Sequence, residues 1–229
     1  MKMKKLCVAL ICAMAMGAAF ADESETGTKK WTNVVGVSLS VPFTHFDTDA
    51  FGTVNQTALG VTGSYLGYAR NGITVKGTFS LGGAFTGDVP LGSDTDFKGG
   101  MYADMSLGAG YSFVRTEKWL VSATALFALS ISRYTQESET VTDAVLGEAE
   151  RVYSAALFNL AFGADITAAY RVGKSMSVCA GVQFRWIPGG VAFRNVMNGT
   201  DDYARIDVNT SDICDSFQIA PSLGLVWSL

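Results

Sequence analysis

The 229-residue sequence predicts an all-β fold, a closed antiparallel up-and-down transmembrane β-barrel of eight strands. Three observations predict it. Apolar and polar residues alternate with period two along eight segments, and the connections between segments are alternately short and long. Although 48% of the chain is hydrophobic, nothing after residue 21 approaches the roughly 20 apolar residues of a membrane-crossing helix.

The amino terminus has its own pattern. Lys2, Lys4 and Lys5 precede an apolar run over residues 6–16, and Ala19 and Ala21 frame a small-residue cleavage site. Residues 1–21 are expected to be a cleaved signal peptide and residues 22–229 a single barrel domain. Loss of the three lysines moves the formal charge from −4 to −7. Such an acidic chain lacks the basic stripe that displaces counterions from phosphate, so nucleic acid is excluded as a partner. Cys179 and Cys214 are the only cysteines beyond the signal, and His45 is the only histidine, so no metal motif or cofactor is expected.

The eight alternating segments are residues 31–43, 57–69, 73–85, 101–113, 119–133, 153–170, 176–187 and 213–229. In the third, Ile73, Val75, Phe79 and Leu81 oppose Thr74, Lys76, Thr78 and Ser80. In the seventh, Val178, Val182, Phe184 and Trp186 oppose Ser177, Cys179, Gln183 and Arg185. An even strand number suits a closed bacterial barrel. Short connections fall at residues 70–72, where Asn71-Gly72 suits a type I′ turn, and at 115–118 and 172–174. Long ones fall at 44–56, 86–100, 134–151 and 188–212.

Alternation alone does not say which face meets water. The polar face here is mostly Gly, Ser, Thr and Ala, with few charges, which suits the cramped interior of eight strands and not a solvated exterior. Aromatic residues also sort to the strand ends. Trp31, Tyr65, Tyr111, Phe113, Trp119, Tyr170 and Trp227 gather near the short-turn rim, and Phe43, Phe85, Trp186 and Phe217 near the other. Two such belts are the mark of a membrane's two interfaces.

Leu223, Leu225, Trp227 and Leu229 alternate to the last residue. This resembles the carboxy-terminal signal by which bacterial outer-membrane proteins are recognised for assembly, with Leu229 standing where an aromatic residue is more usual. Over nearly all of residues 22–229 the sequence resembles the small eight-stranded outer-membrane barrels of the OmpA, OmpX and OmpW type. The resemblance implies export to the bacterial outer membrane, with membrane lipid and the outer-membrane assembly machinery as partners. It also implies long loops that face out of the cell, where an extracellular ligand or host molecule is the expected contact.

Candidate chemistry is sparse. His45 lies near Asp47 and Asp49, but a hydrolase also needs a nucleophilic serine within its reach, and Ser40 is suggested only by lying on the same strand. No motif joins them, so no enzyme is predicted. The long loops form an acidic rim that includes Glu137, Glu139, Asp143, Glu148, Glu150, Asp201, Asp202 and Asp207. Four charged residues have inward parity on separate strands, namely Lys76, Asp104, Asp165 and Arg185. Counting from the strand ends places Lys76 level with Asp165 and Asp104 level with Arg185, each pair facing across the bore. Both cysteines also have inward parity, about seven positions apart, too far for a disulfide. Two function classes follow: display of acidic loops for surface interaction, which a filled lumen favours, or a narrow pore for small solutes.

Overall fold

The computed structural model describes residues 31–86, 99–135, 139–200 and 204–229. The expected signal peptide lies outside them. The described elements are β1 (Trp31–Ser40), β2 (Phe43–Thr48), β3 (Gly52–Ala69), β4 (Ile73–Thr86), β5 (Gly100–Arg115), β6 (Trp119–Thr135), β7 (Glu139–Asp143), β8 (Gly147–Arg171), β9 (Met176–Gly199) and β10 (Ala204–Ser228). Every pairing among them is antiparallel.

Ten segments make eight walls. β1 and β2 are halves of one wall, since both lie between β3 and β10. Pro42 interrupts it because proline has no N–H to donate. The ladder continues across the gap, with Val41 N donating to Pro221 O at 3.0 Å and Ala58 N to Pro42 O at 2.8 Å. From there the ring runs β3, β4, β5, β6, β8, β9, β10 and back to β1, leaving no edge in the barrel. β7 stands outside the ring and pairs with β8.

The turn at residues 70–72 differs from the type I′ expectation. Gly72 N donates to Ala69 O at 2.9 Å, Gly72 has φ +96°, and Asn71 is not left-handed. That is the three-residue turn closed by a left-handed glycine, where a Cβ would also meet the Arg115 guanidinium.

The expected long loops at 44–56, 134–151 and 188–212 are largely strand. β8, β9 and β10 run 25, 24 and 25 residues, against 14 and 16 for β4 and β5. A tilted strand crosses the hydrocarbon in about 9–11 residues, so the tall wall projects well beyond the short one. Inward positions in these stretches are buried but mix apolar with polar side chains, Phe46 and Val54 beside Thr44, Thr48 and Gln56, while their outward positions meet water, so the polarity alternation fades and these extensions resemble loops in sequence. Pro188 looks like a strand stop but occupies a bulge. Leu160 pairs with Gly189 and Phe162 with Trp186, so Ile187 and Pro188 together oppose Ala161, and the missing proline N–H costs no ladder bond.

The two faces fall as the patterning implies. Outward positions such as Val37, Leu39, Leu59, Val61, Leu107 and Leu223 are more than half exposed, whereas Thr62, Thr78, Ser80, Ser106, Ser122 and Thr124 are buried inside. Small residues let the walls approach: a Cβ on Gly82 would sit 2.0 Å from the Leu59 carbonyl oxygen.

Candidate functional site

The lumen is layered along its axis. Nearest the short turns, Lys76 Nζ on β4 lies 2.6 Å from Asp165 Oδ1 on β8, three walls away around the ring. Thr167 completes the group, accepting from Lys76 at 2.7 Å and donating to Asp165 at 2.7 Å. Four residues further up β5, Asp104 receives both arms of Arg185 from β9, at 2.5 and 2.9 Å. Arg185 also donates to Gln183 Oε1 at 2.5 Å. Both side chains of the Asp104–Arg185 pair are 2% exposed. The four charges singled out by parity are thus brought together as two cross-bore pairs.

Hydroxyl ladders knit neighbouring walls between them. Ser40, Thr62 and Ser80 form a chain with 2.8 and 2.7 Å spacings, Thr78 meets Ser106 at 2.6 Å, and Thr74 meets Ser112 at 2.7 Å. These small side chains leave a cavity of about 60 Å³ beside Lys76, Arg185 and Cys179. That is room for a few waters, at about 10–15 Å³ each on this measure.

Above the Asp104–Arg185 pair the lumen changes character. Phe46, Val54, Tyr134, Leu157, Ile187, Ala192 and Ile213 form one buried cluster, each at most 1% exposed. Tyr134 OH donates to Gln56 Oε1 at 2.6 Å, tying β6 to β3 across the bore. The small, polar interior expected from sequence therefore holds for the short-turn half only, and there Val34, Leu66 and Leu126 are buried among the hydroxyl residues. Two features hid the apolar layer: the alternation on β6 extends two residues past Arg133 to include Tyr134 and Thr135, and bulges reverse the inward parity on β9 and β10.

The β10 bulge also corrects the cysteines. Cys214 pairs with Asp47 and Phe217 with His45, with Asp215 at φ 40° between them. Cys214 consequently leaves the lumen, its Sγ 3.6 Å from Asp49 Oδ1. Partial burial first, then the Asp49 carboxylate, pushes this thiol up from its ordinary range. Cys179 pairs with Gly224, ten residues along from Cys214. Both thiols are free.

His45 is engaged elsewhere than with a nucleophile. Its Nδ1 lies 2.8 Å from Asn55 Oδ1 and its ring stacks on Phe217 at 5.1 Å. Ser40 is buried in the lumen against Thr62, on the other face of the wall.

At the long-loop end, β7, β8, β9 and β10 continue upward as a sheet. Above Ile213, β10 has β9 on one side and no strand on the other among the described residues, and Ile206 to Thr210 are exposed. Of the acidic rim, Glu148, Glu150 and Asp207 are exposed on this sheet and Glu139 opens β7. Glu137, Asp201 and Asp202 lie outside the described residues. Asp143 is built into the sheet: it accepts from Val145 N and Leu146 N at 2.8 and 3.1 Å and from Asn198 Nδ2 at 2.8 Å. Asn198 in turn accepts from Arg151 Nε at 2.9 Å.

Aromatic residues mark two levels on the outside. Trp31, Tyr111, Phe113, Trp119 and Tyr170 are exposed at the short-turn rim, and Phe43, Phe85, Trp186 and Phe217 at the other. A closed sheet with an apolar exterior between aromatic belts, and buried charges within, matches lipid and not water. The chain is a membrane-spanning β-barrel. Solved outer-membrane barrels share the arrangement. Neisserial surface protein A aligns at 11% identity over 88% of this chain and 99% of its own, with a TM-score of 0.45. The attachment invasion locus protein Ail of Yersinia pestis aligns at 13% over 86% and 99%, with a TM-score of 0.42. A major outer membrane protein from Thermus thermophilus aligns at 13% over 85% and 99%, with a TM-score of 0.46. At these identities and scores the barrel assignment rests on the hydrogen-bonded ring and its apolar exterior. No family model matches the chain, and no curated protein does.

Proposed function

We propose that the protein is a bacterial outer-membrane surface protein whose barrel is a closed anchor and whose projecting β7–β10 sheet, with its acidic side chains, docks an extracellular ligand or host molecule. The observation that carries this reading is the doubly sealed lumen, an apolar layer stacked on a buried cross-bore ion pair. With the bore filled, the exposed chemistry lies on the sheet, where β10 above Ile213 has no second neighbouring strand among the described residues and presents an edge to an incoming strand. Export by a cleaved signal over residues 1–21, delivery by the outer-membrane assembly machinery and a non-enzymatic role belong to the same reading.

The competing class is a narrow pore for small solutes. Conductance across a planar bilayer separates the two: the surface-interaction reading expects no steady single-channel current from the unmodified protein, and a reproducible one would establish the pore instead. Proteolysis of intact cells tests display. Trypsin is expected to reach Arg194 or Arg151 in the projecting sheet while leaving the membrane-level strands whole; full protection on intact cells with cleavage after lysis would place the sheet on the wrong side.

A further inference from the structure

Outward side chains form rows that run from wall to wall through paired residues. One row starts at Trp227 in the short-turn belt, pairs with Val35, and continues through Tyr65, Gly77, Leu107, Phe127 and Phe162 to Trp186 in the long-loop belt. A row therefore climbs from one belt to the other as it passes round the ring.

Two such rows border a concavity of about 500 Å³ on the outside of β4, β5, β6, β8 and β9. The lower row is Phe79, Met105, Leu129 and Leu160, and the upper is Ala103, Ile131, Phe158 and Val191. Between them the backbone of Asp104, Ser130 and Asn159 forms the floor, since those side chains are buried in the lumen. The bordering rows are two residues apart on each strand, which is about 6.6 Å, and the four steps from β4 to β9 make the groove about 19 Å long. It climbs with the rows and ends at Val191, above Trp186 on β9, where Phe158 meets Phe193 edge-on at 5.8 Å. Arg133 is exposed in the next row up, on the same outer face as Ile131.

We propose that this groove holds one acyl chain of an anionic membrane lipid, its free end near Phe79 and its headgroup at the upper end, on the side of Arg133. Every side chain that borders the groove is apolar, and at this depth the surrounding medium is hydrocarbon. The width admits one extended chain and not the convex wall of a second barrel. The length matches about 15 methylenes at roughly 1.3 Å each. Arg133 supplies a guanidinium fork for a phosphate, and a headgroup without its own ammonium gains most from it. The inference rests on the membrane-spanning barrel and not on the docking role of the projecting sheet.

Native mass spectrometry of the refolded protein, released from neutral-detergent micelles, tests the groove with single-chain lysophosphatidylglycerols of about 10 to about 20 carbons. Retention is expected to rise with chain length and to level off at about 16 carbons, where the groove is full. Ala103→Trp fills the groove with an outward side chain and is expected to abolish that length dependence. Ala125→Trp, outward on β6 but outside the groove, is expected to keep it. Should Ala103→Trp fail the heat-modifiability check for folding, Ala103→Leu is expected to weaken the dependence in the same assay. Arg133→Gln is expected to lower retention of the anionic lipid about fivefold, the equivalent of about 1 kcal/mol for one basic residue at the surface, and to leave lysophosphatidylcholine unchanged. Length-independent retention, or a length dependence that survives the Ala103 variants, overturns the proposal. A dimer mass that Ala103→Trp removes would make the groove a subunit contact and overturn it as well. Unchanged retention of both lipids by the Arg133→Gln protein overturns the anionic assignment.

Discussion

The short-turn and long-loop halves of the lumen solve one problem with opposite chemistry. Near the short turns, small hydroxyl residues leave space, and two ion pairs span it. Near the long loops, Leu157, Ile187 and Phe46 fill the bore directly and Tyr134 ties it across. The barrel is thus sealed twice, by two separate layers. Where the walls rise out of the membrane, the interior packs like the core of a soluble sheet; at membrane depth it is held by paired charges.

The largest expected effect is in the charged half. Arg185→Ala strands Asp104 as an unpaired buried carboxylate and is expected to cost about 3–5 kcal/mol, read from a urea titration of the barrel in lipid vesicles. Conductance is expected to stay near zero, because the apolar layer remains above the lesion. A current in this variant alone would make the ion pair the sole seal and collapse the comparison.

Leu157→Ala attacks the other half and is expected to cost about 3 kcal/mol through lost transfer energy and a cavity. Its cost is expected to add to that of Arg185→Ala if the halves are independent. Strong non-additivity in the double variant would show one continuous core.

A smaller loss of about 1–2 kcal/mol is expected for Tyr134→Phe, which removes the hydroxyl and leaves Gln56 Oε1 buried without its donor. Wild-type stability in the same titration would remove the cross-bore tie from the outer seal.

The last contrast involves no stability change. A maleimide is expected to label Cys214 at the rim and to leave Cys179, buried in the charged half, unmodified. Because partial burial and then Asp49 raise the Cys214 thiol, the reactive thiolate appears only at higher pH than for an ordinary cysteine. Asp49→Asn is therefore expected to speed labelling at a fixed pH near 8. Labelling of Cys179 at a comparable rate would mean that the inner half is open to solvent.

The barrel, its eight walls, the apolar exterior and the two aromatic belts were legible along the chain, because at membrane depth each wall residue meets either lipid or lumen. Lys76, Asp104, Asp165 and Arg185 were legible for the same reason: a charge on an alternating strand has one face to occupy. The extra residue at Pro188, the bulge at Asp215 that turns Cys214 outward, the apolar cap and the height of the projecting sheet emerge from how distant strands meet. A bulge is set by how two strands are registered against each other. That register depends on partners distant in the chain, and a one-residue shift reverses every side chain beyond it. Above the membrane the outward face meets water, and the buried inward face takes polar side chains such as Thr44, Thr48 and Gln56 beside Phe46 and Val54, so the polarity alternation that carries the signal is lost.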